Sequence, residues 1–95
     1  MKSSISFDLP VTIFREGAYF IAYSPALDLS SAGKSTKEAK RMFAEAVDSF
    51  FAELTEAGTL NSVLKDLGWT GKRDILRPPK VIQHQMVSVR VPAMA

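Results

Sequence analysis

A long amphipathic segment in the middle of the chain does most to limit the possible folds. Apolar residues recur there at steps of three and four; they are Ala39, Met42, Phe43, Ala46, Val47, Phe50, Phe51 and Leu54. This period predicts a helix that packs one stripe against a core. Ser35 or Thr36 is predicted to cap the helix, and Ser35 with Glu38 fits a capping box; Gly58 is placed as a left-handed C-cap. We therefore predict a long helix over 36–57 and a shorter one over 59–67.

Strand patterns precede this helix. Residues 5–13 alternate between apolar and polar side chains, which predicts a strand with one buried face, and Pro10 favours an edge position or a bulge. Gly17 lies in a predicted turn over 15–18. Residues 19–24 are aromatic and apolar without alternation, so we expect a central strand that is covered on both faces. Residues 29–34 form a predicted short third strand.

The segment after the helices divides into a linker and a further strand. Gly71 and the Pro78–Pro79 pair predict that residues 70–80 lack regular structure. Alternation in 81–91 predicts a fourth strand. The resulting division is a core domain over 1–69, a linker over 70–80, and a C-terminal strand segment over 81–95 that pairs in an oligomer. Trp69 is expected to pack back onto the core.

Composition limits the possible class of protein. Ninety-five residues suffice for one domain with a modest core. The chain has no cysteine and no apolar run near the ~20 residues that span a bilayer, so a cytoplasmic protein is expected. Residues 1–68 carry seven Lys/Arg and nine Asp/Glu, a charge of −2, whereas residues 69–95 carry five and one, a charge of +4. We interpret the basic C-terminal part as a solvated segment.

Residues with catalytic potential form no recognisable constellation. His84 is the only histidine and has no acidic neighbour closer in sequence than Asp74. Metal sites need several convergent ligands, so the sequence predicts no metal and no cofactor. The predicted strands offer only Asp8 and Asp28 as carboxylates for a magnesium-dependent nuclease, and Asp28 belongs to a turn. We therefore predict a protein that is not an enzyme.

One ordered set of short motifs resembles a known family. Tyr-Phe-Ile-Ala-Tyr-Ser-Pro-Ala-Leu-Asp over 19–28 is followed by Gly33-x-Ser/Thr-x-Glu-Ala and then Glu45-Ala46. The order and spacing of these pieces, within residues 14–69, resemble the HicB-like antitoxins. The resemblance implies an α+β fold of the HicB-like, partial RNase H-like type. Its elements run β-β-β-α-(α)-β, with a mainly antiparallel sheet and one long helix packed on one face.

The resemblance also implies a function. HicB-like antitoxins bind a small RNase toxin, HicA, and block it by covering its active site, and many carry a C-terminal segment that binds operator DNA. Residues 88–92 resemble the strand that opens a ribbon-helix-helix module, but the two helices that should follow are not in this sequence. Such a module cannot dock in a DNA groove without them. The expectation is thus a toxin-binding domain without direct DNA binding.

Two sets of residues are predicted to make the contacts. The hairpin and the following turn are expected to bind the toxin through Glu16, Tyr19, Tyr23 and Asp28. The last predicted strand is expected to form the interface of a homodimer or larger homo-oligomer through Met86, Val87, Val89 and Val91. Two alternatives remain: a stand-alone oligomeric module with an unrelated partner, and a nucleic-acid-processing enzyme related to RNase H.

Overall fold

The computed structural model describes residues 8–72 and 75–93 of the protein. Within them the chain is α+β: three antiparallel strands, a long helix, a short helix and a hairpin. The elements are β1 (Thr12–Glu16), β2 (Tyr19–Ser24), β3 (Leu29–Gly33), α1 (Thr36–Ala57), α2 (Leu60–Asp66), β4 (Thr70–Lys72) and β5 (Ile75–Arg77). The main sheet has the order β1-β2-β3, and α1 packs on one of its faces. The predicted β-β-β-α order and antiparallel pairing are confirmed.

Helix α1 begins and ends where its capping residues predict. The Ser35 hydroxyl accepts a hydrogen bond from the Glu38 amide at 3.0 Å, and the Glu38 carboxylate accepts one from the Lys34 amide at 2.8 Å. The first bond satisfies an amide group that the first turn of a helix leaves free, and the second ties the residue before the N-cap to the helix. At the other end, Gly58 adopts φ 74° and ψ 19°, the left-handed C-cap conformation.

The motif that follows β3 has a structural role. A Cβ atom at Gly33 would lie 2.5 Å from the Ala39 amide nitrogen and 2.8 Å from the Glu38 carbonyl carbon. Only glycine lets the end of β3 approach the first turn of α1 this closely. Ala39 is fully buried at the same contact. The Gly33, Ser35, Glu38 and Ala39 pattern therefore fixes how the helix leaves the sheet.

Two apolar clusters hold the layers together. Ala22, Ala39 and Phe43 are buried between the sheet and α1. The second cluster joins the β2–β3 turn to the C-terminal elements, and its buried members are Leu27, Leu64, Trp69 and Leu76. Trp69 is 2 % exposed, as its predicted return to the core requires. Its indole N–H donates to the Ala26 carbonyl at 2.8 Å.

Two expectations for the first strands are corrected. Among the described residues, β1 covers 12–16 rather than extending back from residue 13, and Pro10 precedes it; residues 5–7 lie outside the described part. The strand continues to Glu16 because the turn needs only Gly17 and Ala18, which leaves Glu16 paired with Tyr19. Among the described elements, only one face of β2 is covered by a helix. The prediction of burial on both faces rested on the aromatic content of β2, which does not by itself require two covered faces.

The C-terminal part also departs from expectation. Residues predicted as an unstructured linker form the β4–β5 hairpin, because Leu76 is anchored in the Trp69 cluster. The predicted fourth strand over 81–91 is wrong for this chain on its own, since residues 78–93 have no regular structure. Alternation gives a strand only where another strand pairs with it. None of the helices in the described ranges is both long and apolar enough to cross a membrane.

Candidate functional site: the open face of the sheet

The sheet has one face packed against α1 and one face that no described helix covers. Side chains alternate along each strand, so the register of the three strands assigns residues to each face. We call the side opposite α1 the open face; its strand residues are Thr12, Phe14, Glu16, Tyr19, Ile21, Tyr23, Ser30 and Ala32. Residues of the other parity include the buried Ala22 and the partly buried Ile13 and Phe20, which pack with α1.

The centre of the open face is apolar and aromatic. Phe14 pairs with Ile21, which pairs with Ala32 on β3. Phe14 and Tyr19 are 44 % and 49 % exposed, whereas Ile21 and Tyr23 are partly covered by their neighbours. Large apolar side chains this exposed, gathered on one side of a sheet, are typical of a protein contact surface. Tyrosine and phenylalanine are also among the side chains enriched at such contacts.

Carboxylates flank this aromatic centre. Glu16 pairs with Tyr19 at the hairpin end of the sheet. At the opposite end, the Tyr23 hydroxyl donates to the Asp28 carboxylate at 3.1 Å. No Lys or Arg occurs among the strand residues of the open face. The face therefore combines aromatic side chains with negative charge.

The turn that carries Asp28 is held firmly. Ala26 and Leu27 are buried, and the Ala26 carbonyl accepts the Trp69 indole bond. Asp28 adopts a positive φ of 50°, which aspartate tolerates better than most side chains. The bond to the Asp28 carboxylate stabilises the neutral phenol and raises the pKa of Tyr23 above its ordinary value of 10.0. Asp28 and Tyr23 therefore form one preorganised polar corner of the open face.

The structure thus brings the four predicted contact residues onto one side of the sheet. Glu16, Tyr19 and Tyr23 share the open face, and Asp28 joins them through its bond to Tyr23. Phe14 was not among the predicted contact residues. The two-residue turn could have revealed it, because that turn pairs Glu16 with Tyr19 and places Phe14 on the same side.

The predicted oligomer residues lie elsewhere. They lie in a segment without regular structure and are largely exposed: Met86 by 99 %, Val87 by 66 %, Val89 by 79 % and Val91 by 73 %. They do not join the open face within one chain.

The candidate catalytic residues are dispersed. Asp8 is exposed ahead of β1, Asp28 is bonded to Tyr23, and His84 is exposed in the C-terminal segment. Searching the described ranges finds no group of three or more His, Cys, Asp or Glu side chains that could hold a metal ion. Comparisons with known proteins give no match to a protein-family model, a curated protein or a solved structure.

Proposed function

We propose that the chain is a non-catalytic, antitoxin-like binding module that neutralises a HicA-type RNase toxin by covering its active site. The observation that carries the proposal is the open face, which presents exposed Phe14 and Tyr19 between two carboxylates. The ordered motifs that resemble HicB-like antitoxins supply the class of partner.

The negative charge of the open face favours a basic partner. Glu16 and Asp28 flank the aromatic centre, and no cation lies among the strand residues of this face. An RNase must attract a polyanionic substrate, so the region around its active site is expected to be positively charged. The two surfaces are complementary, which speeds encounter and suppresses wrong partners more than it deepens affinity.

The aromatic centre would supply most of the affinity. Residues whose truncation weakens a protein complex most are enriched in aromatic side chains near the middle of the interface. Phe14 occupies that position on the open face, and Tyr19 lies beside it at the hairpin end. The Tyr23–Asp28 bond and the buried turn hold the neighbouring groups in place before binding, which lowers the entropy cost of association.

Co-expression with a small HicA-type RNase, here called the toxin candidate, tests the proposal. The wild-type chain should rescue growth and co-purify with the toxin. Tyr19→Ala should weaken binding roughly 30-fold, the equivalent of about 2 kcal/mol for an exposed aromatic contact. Met42→Ala is the matched control, because Met42 is a 38 % exposed apolar residue on α1, away from the open face.

Three outcomes would overturn the proposal. Failure of the wild type to bind or rescue would remove the antitoxin function. If Tyr19→Ala and Met42→Ala weakened toxin binding equally, the open face would not be the contact surface. Magnesium-dependent RNA cleavage by the purified chain, lost on substitution of Asp8 or Asp28, would replace the binding module with an enzyme.

A further inference from the structure

The C-terminal segment is the largest feature that the open face does not explain. Residues 81–93, here called the arm, are exposed throughout and have no regular structure. Six large apolar side chains in the arm are 41–99 % exposed: Val81, Ile82, Met86, Val87, Val89 and Val91. The protein measures 59 × 28 × 23 Å, and its radius of gyration is 16.3 Å. A compact chain of this length has about 12 Å, and an arm that leaves the domain accounts for the excess.

The arm has the pattern of a strand without a partner. Val87, Val89 and Val91 alternate with Ser88 and Arg90, and valine is strongly favoured in strands. Six exposed large apolar side chains in thirteen residues are unfavourable in water unless another surface covers them.

The same protein offers an unpaired strand edge. In the described residues, β1 and β3 each pair only with β2, so each leaves one edge unpaired. The end of β3 runs directly into the first turn of α1 at Gly33, so the edge of β1 is the one assigned here. Glu16 and Tyr19 flank the two-residue turn and form a hydrogen-bonded pair, so Phe14 and Ile21 form the next such pair. The main-chain N–H and C=O groups of the alternate residues, Ile13 and Arg15, therefore point away from β2. An added strand can bond to these groups.

We infer that the arm of one copy adds as a fourth strand to the free edge of β1 in a second copy, and that the exchange is reciprocal. This assignment goes beyond the proposed function and does not depend on it. A two-fold exchange closes the assembly as a dimer, with each arm and each β1 edge used once.

Physical arguments favour the β1 edge over pairing of the two arms with each other. An isolated two-stranded ribbon is marginal in water, whereas a fourth strand on an existing sheet gains both main-chain bonds and side-chain neighbours. Charge also agrees. From residue 8 to Arg77, the end of β5, the domain carries nine Lys/Arg and ten Asp/Glu, a net charge of −1, whereas the arm carries His84 and Arg90 and no carboxylate.

Mass measurement by light scattering at micromolar concentration is the first test. The wild type should have twice the 10.4 kDa mass of one chain. Val87→Asp/Val89→Asp should give a monomer, because it places charges on the apolar side of the arm. Arg15→Pro should also give a monomer, because it removes an outward N–H of β1, and an edge strand tolerates proline there. Arg15→Ala is its control, because both variants lose the guanidinium that lies 5.5 Å from the Phe20 ring centroid and only the proline loses the N–H. Circular dichroism should show that all of these variants stay folded.

Mixing the two variants separates arm-to-edge from arm-to-arm pairing. Val87→Asp/Val89→Asp, the arm variant, keeps an intact β1 edge, and Arg15→Pro keeps an intact arm. The mixture should therefore form a heterodimer, although each variant alone is a monomer. A dimeric Arg15→Pro beside a monomeric arm variant would overturn the inference in favour of arm-to-arm pairing or of pairing with the β3 edge. A monomeric wild type, or variants that remain monomers when mixed, would also overturn it.

A proline scan tests whether the contact is a strand addition. Single prolines at Val87, Ser88, Val89 and Arg90 should have two different effects on dimer formation, with alternate positions behaving alike. Two alternate positions should lose the dimer and the other two should keep it, because an edge strand bonds through alternate residues. Equal effects at all four positions would indicate nonspecific apolar clustering and contradict strand addition.

Discussion

Replacing Gly33 with alanine probes the contact that orients α1 on the sheet. The added Cβ atom would lie 2.5 Å from the Ala39 amide nitrogen and 2.8 Å from the Glu38 carbonyl carbon, and both are backbone atoms that no rotamer change can move. The first turn of α1 must shift, and overpacking of this kind typically costs about 1–3 kcal/mol. For a domain of this size, each kcal/mol lowers the melting temperature by roughly 4–8 °C. We therefore expect Gly33→Ala to lower it by roughly 4–24 °C.

A thermal melt followed by circular dichroism measures this effect, and Gly58 provides the control. A Cβ atom at Gly58 meets nothing within 4 Å, but its φ of 74° is unfavourable for alanine. Gly58→Ala should thus lower the free energy of unfolding by about 1–2 kcal/mol through backbone strain. Gly58→Asn should recover part of that loss, since asparagine tolerates this conformation. At Gly33 asparagine should be worse than alanine. An unchanged melting temperature in Gly33→Ala would refute the close approach of β3 and α1.

Three further changes test other parts of the structure. Trp69→Phe leaves the buried Ala26 carbonyl without its indole donor, so unfolding free energy should fall by about 1–3 kcal/mol, measured in urea. Ser24→Ala should stabilise the fold by up to ~1 kcal/mol in the same assay, because the buried Ser24 hydroxyl has no hydrogen-bond partner among the described residues; a loss of stability would contradict this. Asp28→Asn should lower the pKa of Tyr23, monitored by tyrosinate absorbance. Because the folded pKa is raised, the stability from this bond is present below pH ~10 and is lost as the pH rises through the folded pKa.

Local signals were sufficient to predict α1. Its apolar period, the capping residues near Ser35 and the C-cap at Gly58 agree on one helix, and the observed bounds match those predicted. The third strand and the return of Trp69 to the core were also predictable.

Elements that depend on distant contacts were less predictable. The β4–β5 hairpin forms around Leu76, whose burial depends on Trp69 and cannot be inferred from the glycine and prolines nearby. The arm has the alternation of a strand, but a strand needs a neighbour, and the sequence of one chain does not say where that neighbour is. The sequence alone proposed Tyr19 and Tyr23 as contact residues, which stays a prediction, whereas Phe14 emerged as a member of the open face only from the strand register.

Inhibition of the toxin's RNA cleavage tests the central claim most directly. The purified toxin candidate is titrated with the wild-type chain, with Phe14→Ala/Tyr19→Ala, and with the Met42→Ala control. The wild type and the control should inhibit stoichiometrically, and the double variant should require a large excess, because it lacks the exposed aromatic centre of the open face. No inhibition by the wild type, or equal inhibition by the double variant, would contradict the claim that the open face covers the active site of an RNase toxin.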